Sequence, residues 1–327
     1  MTRVDELGGT RLVSAGQKEL NAILEIPPGH HAVWLIDGRA EWQPESGNAG
    51  ILEPSQKVWD LDGPGSLRFL ETSHYARFEA WDELGFGPRA ILYRTLVESR
   101  NRGIGEALAA GLPPQAGQIW ADVGTGTGAM VQALQAQEQS RRPQWILGID
   151  RASRMLDEAW SHSSAPIPAW FVARDLMSVQ WPQRTFDGIT ALLLLHLIDD
   201  LDYFLGNLFG ALKPGGIFAY AVSADANPFM RMIMHQLAGP GDFFKQGQKK
   251  IRQSVLGAGF TIQHSATYKD EIVMESPDAM RELIRSIGGP ASRGLRADVS
   301  PPGSIERVFE LVWAQKPGRS TEARHNG

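Results

Sequence analysis

The run Asp122-Val-Gly124-Thr-Gly126-Thr-Gly128 restricts the fold of this chain more than any other feature. It follows an apolar stretch read as a strand, Ile119–Val123, and opens a stretch read as a helix, Ala129–Gln137. Glycines at alternate positions allow a sharp turn and a close ligand approach, beside the free N–H groups of a helix N-terminus. A strand, a glycine turn and a helix in that order open a nucleotide-binding βαβ unit. The downstream sequence continues the pattern. Trp145–Ile149, Ala169–Ala173, Gly188–Leu193 and Ile217–Ser223 read as further strands, with helices expected at Ser153–Trp160 and Asp202–Leu212. Apolar strands alternating with amphipathic helices predict a doubly wound α/β sheet, mostly parallel and covered on both faces. Ile251–Ala258 reads as another helix, and Phe260–His264 and Val308–Ala314 as the final strands.

The glycine turn alone does not choose the nucleotide. Gly124, Gly126 and Ala129 also satisfy the dinucleotide fingerprint, so on that ground NAD stays open. Asp150 ends the next strand, 26 residues after Gly124, where a carboxylate can accept from both ribose hydroxyls. That marks a nucleoside rather than one cofactor. Asp175, in Arg174-Asp175-Leu176, follows the third strand and is placed to accept from an adenine amine. Phe186-Asp187 opens the fourth strand, and Leu212-Lys213-Pro214-Gly215-Gly216 turns into the fifth. In this order and spacing the set resembles the motif series of class I S-adenosylmethionine (SAM) dependent methyltransferases, over roughly Phe86 to Gln315.

The resemblance implies SAM as cofactor and a seven-stranded sheet whose last strand, near Val308–Ala314, runs antiparallel. It implies that Asp122, Gly124, Thr125, Gly126 and Gly128 hold the methionine portion and that Asp150 binds the ribose. Asp175 and the backbone of Leu176 would take the adenine, with Arg151 or Met155 flanking the ring. Tyr93, beside Arg94, stands where related enzymes place a Tyr that closes over SAM. His196, in Leu195-His196-Leu197, falls where the acceptor pocket lies in related enzymes and is the candidate catalytic base. Plainer readings remain beside these. Asp122 could cap the turn, Gly128 could serve helix–strand packing, Asp175 could be turn chemistry and His196 could be structural.

The acceptor pocket is expected from Asp225–Gln248 and Glu275–Pro302. Phe229, Met230, Met232, Ile233, Met234, Phe243 and Phe244 would give an adaptable apolar wall, unless they are plain core. Arg231, His235 and Arg293 are the polar groups that could meet an acidic acceptor. From Pro88 to Leu112 the period is helical, with Ile91, Leu92, Thr95, Leu96, Ile104, Ala107 and Leu108 recurring, and Pro113-Pro114 ends it.

Residues 1–85 read as a small β-rich module, for dimerisation or for covering the substrate. Asp37-Gly38, between Ala32–Ile36 and Arg39–Trp42, is a hairpin signal. Gly29-His30-His31 resembles half of a cupin metal motif, with His74 further on. Adjacent His side chains on a strand point to opposite faces, so no metal site is expected. The SAM-binding domain is expected at 86–317, with lid insertions near 225–248 and 275–302, and a polar, disordered tail at 318–327.

Composition narrows the partners. The chain has 32 basic and 37 acidic residues, a net charge of −5 that argues against nucleic-acid binding. It has no cysteine, which excludes disulfides, thiolate zinc sites and Cys nucleophiles. Met1–Gly9 lacks the pattern of a signal peptide, and the most apolar stretch, Ile189–Ile198, is about half a membrane span. A cytoplasmic protein without a membrane partner is expected, with homodimerisation as one role for the module. The expected activity is SAM-dependent methyl transfer to a small-molecule acceptor in bacterial secondary metabolism. Two alternatives keep the fold: cyclisation of SAM to azetidine-2-carboxylate with release of methylthioadenosine, and a non-catalytic SAM-binding partner.

Overall fold

The computed structural model describes residues 89–113, 116–162, 169–173, 175–177, 179, 181–236, 246–273, 276–288 and 303–318, together with short N-terminal strands. Those strands are β1 (His30–Trp34), β2 (Ala40–Pro44), β3 (Gly50–Ile51), β4 (Asp60–Leu61) and β5 (Leu67–Arg68). β1 and β2 pair antiparallel with Trp34 opposite Ala40, β3 adds to β2, and β4 pairs with β5, while Asp37-Gly38 lies outside the described residues. His74, Arg174, Phe243, Phe244, Arg293 and residues 319–327 lie outside the described residues.

The main sheet contains β6 (Ile119–Val123), β7 (Trp145–Asp150), β8 (Ala169–Ala173), β9 (Phe186–Leu192), β10 (Leu212–Ser223), β11 (Thr261–Val273) and β12 (Ser304–Gln315). Its seven strands run in the order β11-β12-β10-β9-β6-β7-β8. β6 to β10 are mutually parallel where they pair, and β12 is antiparallel to both β10 and β11. The chain leaves β6 toward β7 and later returns to place β9 on its other side. The order therefore reverses at β6, and a crevice opens at the carboxyl ends of β6 and β9.

Both faces are covered. Helices α1 (Ala90–Tyr93), α2 (Ser99–Ala110), α3 (Ala129–Gln135), α4 (Ser153–His162), α5 (Leu201–Ala211), α6 (Pro228–Gln236), α7 (Gln248–Gly257) and α8 (Pro277–Gly288) surround the sheet. Alternate residues of one strand feed opposite cores, as the two-residue period of a strand requires. On β10, Phe218, Tyr220 and Val222 meet Phe204, Leu208, Ile251 and Val255 from α5 and α7. Ala219 and Ala221 instead share a core with Ile104, Leu108, Met130, Leu134 and Leu156 from α2, α3 and α4. Among the described residues no helix is long and apolar enough to cross a membrane.

The first helical stretch departs from the expected face. A π-helical turn, Arg94–Glu98, separates α1 from α2, and its wider winding rotates α2 relative to α1. Ile91 is 67% exposed and Thr95 is exposed, whereas Ala90, Val97, Ile104 and Leu108 are buried.

The Phe186-Asp187 and Leu212–Gly216 signals meet at the amino end of the sheet. Asp187 Oδ2 accepts from the Ile119 N–H at 2.9 Å and pairs with Lys213 Nζ at 2.8 Å, fastening β6, β9 and β10 together. Asp187→Ala is expected to cost about 1–3 kcal/mol in urea unfolding, mostly through the backbone bond, since the half-exposed ion pair is screened. Calorimetric SAM affinity should be unchanged, because the crevice lies at the opposite ends of the strands.

Candidate functional site

β6 runs straight into the glycine turn. Gly124, Gly126 and Gly128 have φ of +67°, +54° and +89°. A Cβ on Gly124 would stand 2.6 Å from a methyl of Leu194, so both backbone and space demand glycine there. The N–H groups of Gly124 and Thr125 donate to the Ile149 carbonyl at 2.8 and 3.1 Å, folding the turn over the end of β7.

Asp122 points inward. It is 1% exposed and lies in register with Thr190 on β9. Thr190 Oγ1 donates to Asp122 Oδ1 and Thr125 Oγ1 to Oδ2, both at 2.7 Å. Burial pushes the carboxyl up to about 7, against the pull of those two hydrogen bonds. Asp122 and Thr125 thus act as struts under the turn, as the plainer reading of Asp122 has it. Sequence reasoning misses Thr190, although one hydroxyl inside an apolar strand is a signal.

Asp150 closes the other side. Its Oδ2 accepts from the Gly126 N–H and its Oδ1 from the Ala152 N–H, each at 2.9 Å. Burial raises this carboxyl, while the two backbone donors and the neighbouring Arg151 oppose the rise. Met155 is buried and packs with Ala90, Ala152 and the half-buried Tyr93. The glycine turn, Asp150, Met155 and Tyr93 are therefore brought together at the ends of β6 and β7. Asp175 follows the adjoining strand β8, where its Oδ1 accepts from the Met177 N–H at 3.0 Å. Leu176 is buried in the core with Val179 and Trp181.

Beyond β9 the backbone is strained. Leu193 has φ of +55°, unusual for a side chain of its size, and its N–H donates to the Ala221 carbonyl at 3.0 Å. His196 comes next in a 3₁₀ turn, Leu195–Leu197. It lines two cavities, one with Tyr93, Leu193 and Phe229, the other with Val222, Asn227 and Gln248. The expected apolar wall is divided between them and the core. Phe229 and Ile233 pack on Met280, Leu283 and Ile284 of α8, while Met230 lines both cavities and Met234 the second. Arg231 and His235 are exposed. Four polar residues of the first cavity were not foreseen: Arg100, Asn101, Ser223 and Arg307. Asn101 Nδ2 donates to Tyr93 Oη at 2.9 Å. Among the described residues no three His, Asp or Glu are grouped to hold a metal ion.

Burial lowers the His196 imidazole to about 4, so it is neutral at neutral pH. Its folded value lies below the unfolded value of about 6.5, so its stabilising effect is complete above pH 6.5. That effect is lost as pH falls from about 6.5 toward 4. Asp122 and Asp150, both raised, act in the opposite sense over an overlapping range. The contrast with His196→Gln isolates the imidazole. Between pH 7 and 4.5 the native chain should lose on the order of 2–3 kcal/mol relative to that variant in urea unfolding.

The methyltransferase domain family model matches residues 121–220, from the central strand through β10. The ubiquinone biosynthesis O-methyltransferase of Methylobacterium sp. (strain 4-46) is 26% identical over 187 residues, covering 54% of this chain and 70% of that protein. An uncharacterized methyltransferase of Mycobacterium bovis is 31% identical over 115 residues, which cover 35% of this chain and 55% of its own length. A crystal structure from Bacillus halodurans C-125, named as a methyltransferase, superposes at TM-score 0.50 with 15% identity. It covers 66% of this chain and 99% of its own, and shares the fold. The strand order, the glycine turn and the family match over residues 121–220 support a class I SAM-dependent methyltransferase domain, with SAM as its cofactor.

Proposed function

We propose that the chain transfers the methyl group of SAM to a small-molecule acceptor held in the cavity beside His196, in bacterial secondary metabolism. The observation that carries this reading is the position of His196, buried yet lining cavities at the carboxyl end of the strand next to the glycine turn. The Methylobacterium and Mycobacterium relatives are named for methyl transfer, which supports it over cyclisation of SAM and over non-catalytic binding.

The residues divide the work. The turn at Gly124, Thr125, Gly126 and Gly128, braced by Asp122, takes the methionine portion. Asp150 takes the ribose: its two backbone partners leave lone pairs free for hydroxyl donors. Asp175 and the Leu176 backbone take the adenine, with Arg151 or Met155 against the ring and Tyr93 closing over the cofactor. When bound, SAM supplies an electrophilic methyl on a sulfonium. The chain then has to hold the acceptor in line with it and remove a proton where the acceptor carries one. His196 is neutral and can accept that proton, though its low basicity suits an acceptor that is itself acidic. The module at 1–85 serves association or covers the site.

Mass spectrometry of the protein with SAM, with and without an acceptor library, tests the activity. S-adenosylhomocysteine should accumulate only with an acceptor. Methylthioadenosine above the spontaneous background without one would instead establish cyclisation. Asp150→Ala is expected to weaken SAM by about 1–3 kcal/mol in calorimetry, and unchanged affinity would remove the ribose assignment. His196→Gln should lower kcat by about 10²-fold or more with SAM affinity intact. Because Asp122 titrates near 7, the diagnostic is the contrast with His196→Gln: an inflection of kcat/KM near 6.5 that this variant abolishes would reject a buried neutral base.

A further inference from the structure

The first cavity beside His196 carries a charge that its walls do not suggest. Its volume is about 80 Å³, and it opens to solvent on one side. Most of its lining is aliphatic or aromatic, yet Arg100 from α2 and Arg307 from β12 both reach it.

The two guanidiniums are not equivalent. Arg307 is 2% exposed and is satisfied where it lies. Its Nε donates to Asp270 Oδ1 at 2.7 Å, its Nη2 to Asp270 Oδ2, and its Nη1 to Asn101 Oδ1 at 3.4 Å. Arg100 donates from Nη1 to the Leu96 carbonyl one turn back. Among the described residues no carboxylate pairs with it, and Asp270, the acid that influences it, is gripped by Arg307. Burial, and then the like charge of Arg307, lower the Arg100 guanidinium, while Asp270 raises it. Two arginines against one aspartate, beside a neutral His196, leave one positive charge at an apolar wall. A partly desolvated cation of this kind gains most from a partner anion, and a guanidinium fork matches a planar carboxylate. A dianionic phosphate would leave a second negative charge uncompensated among apolar side chains.

We propose that this cavity recognises its acceptor by a carboxylate, bound at Arg100, with the apolar body of the molecule lying against Val97, Phe229, Ile272 and Leu283. Arg307, locked to Asp270, holds Asn101 rather than gripping the acid itself. Of the arginines expected from the sequence to meet an acid, Arg231 is exposed and lines the second cavity instead. The inference rests on reading the cavity as the acceptor pocket.

The test is calorimetry on the S-adenosylhomocysteine complex of the full chain. The probes are medium-chain alkanoates and arylalkanoates, each with its primary amide and its alkyl or aryl phosphate counterpart. The acids should bind about tenfold tighter than the amides and tighter than the phosphates. Arg100→Gln should remove that preference, Arg100→Lys should keep part of it, and both should leave S-adenosylhomocysteine affinity within about twofold of native. Equal binding of acid and amide, preference for the phosphate, an undiminished preference in Arg100→Gln, or no acid binding at all would each overturn the proposal. Failure of the native chain to bind S-adenosylhomocysteine would count instead against the cofactor roles of the glycine turn and Asp150, and would leave a distinct signature. That affinity does not depend on Arg100.

Discussion

The buried carboxylate of Asp122 is the constraint on which the site depends. It sits at the end of β6, the central strand where the sheet order reverses, and is enclosed on both sides by apolar core. Such a group is costly unless both oxygens are satisfied. Thr125 satisfies one from the glycine turn and Thr190 the other from β9. The same two bonds therefore fix both the turn and β9 to β6. Asp150 repeats the device at β7, accepting from Gly126 in the middle of the turn. Two aspartates hold the glycine segment in shape between them, with Thr125 as the link to one and Gly126 as the link to the other.

The first cavity is organised by a buried charge of the opposite sign, that of Arg307. Arg307 comes from β12, near the antiparallel edge of the sheet, and is neutralised by Asp270 on the paired strand β11, its directly opposite residue in the register. Isolated, such a pair returns little net stability, because two ions have been taken out of water. Its value lies in what it positions. The Asn101 carbonyl oxygen accepts from Arg307, and the Asn101 amide donates to Tyr93. β12 thus reaches across to the first helix, and α6 and α8 pack together through Phe229, Ile233, Met280 and Leu283.

Much of the scaffold was legible in the chain, because strands buried on both faces write themselves as apolar runs between turn residues. Ile119–Val123 and Ala169–Ala173 have the bounds expected, and β12 is antiparallel as the family resemblance implied. The glycine turn and Asp150 were equally plain, being local. What escaped was non-local or depended on winding. Thr190 matters only because a parallel register sets it opposite Asp122. Arg307 and Arg100 are 207 residues apart and meet only once the sheet is assembled. The π turn at Arg94–Glu98 shifts the helix face by an amount that no fixed period contains, which leaves Ile91 exposed and turns Val97, Arg100 and Asn101 to the cavity.

That shift explains how one short helical segment serves two sites. Tyr93 packs with Ala152 and Met155 beside Asp150, while its hydroxyl accepts from Asn101 at the first cavity. Burial pushes the phenol up to about 12, so it stays neutral and adds no charge beside Asp150 or Arg307. A neutral residue is what such a junction needs. An anion there would compete with a carboxylate for the Arg100 guanidinium, and a cation would pair with Asp150 and occupy its oxygens. With a tyrosine between them, Asp150 at the end of β7 and the arginines of the first cavity remain electrostatically separate across a single side chain.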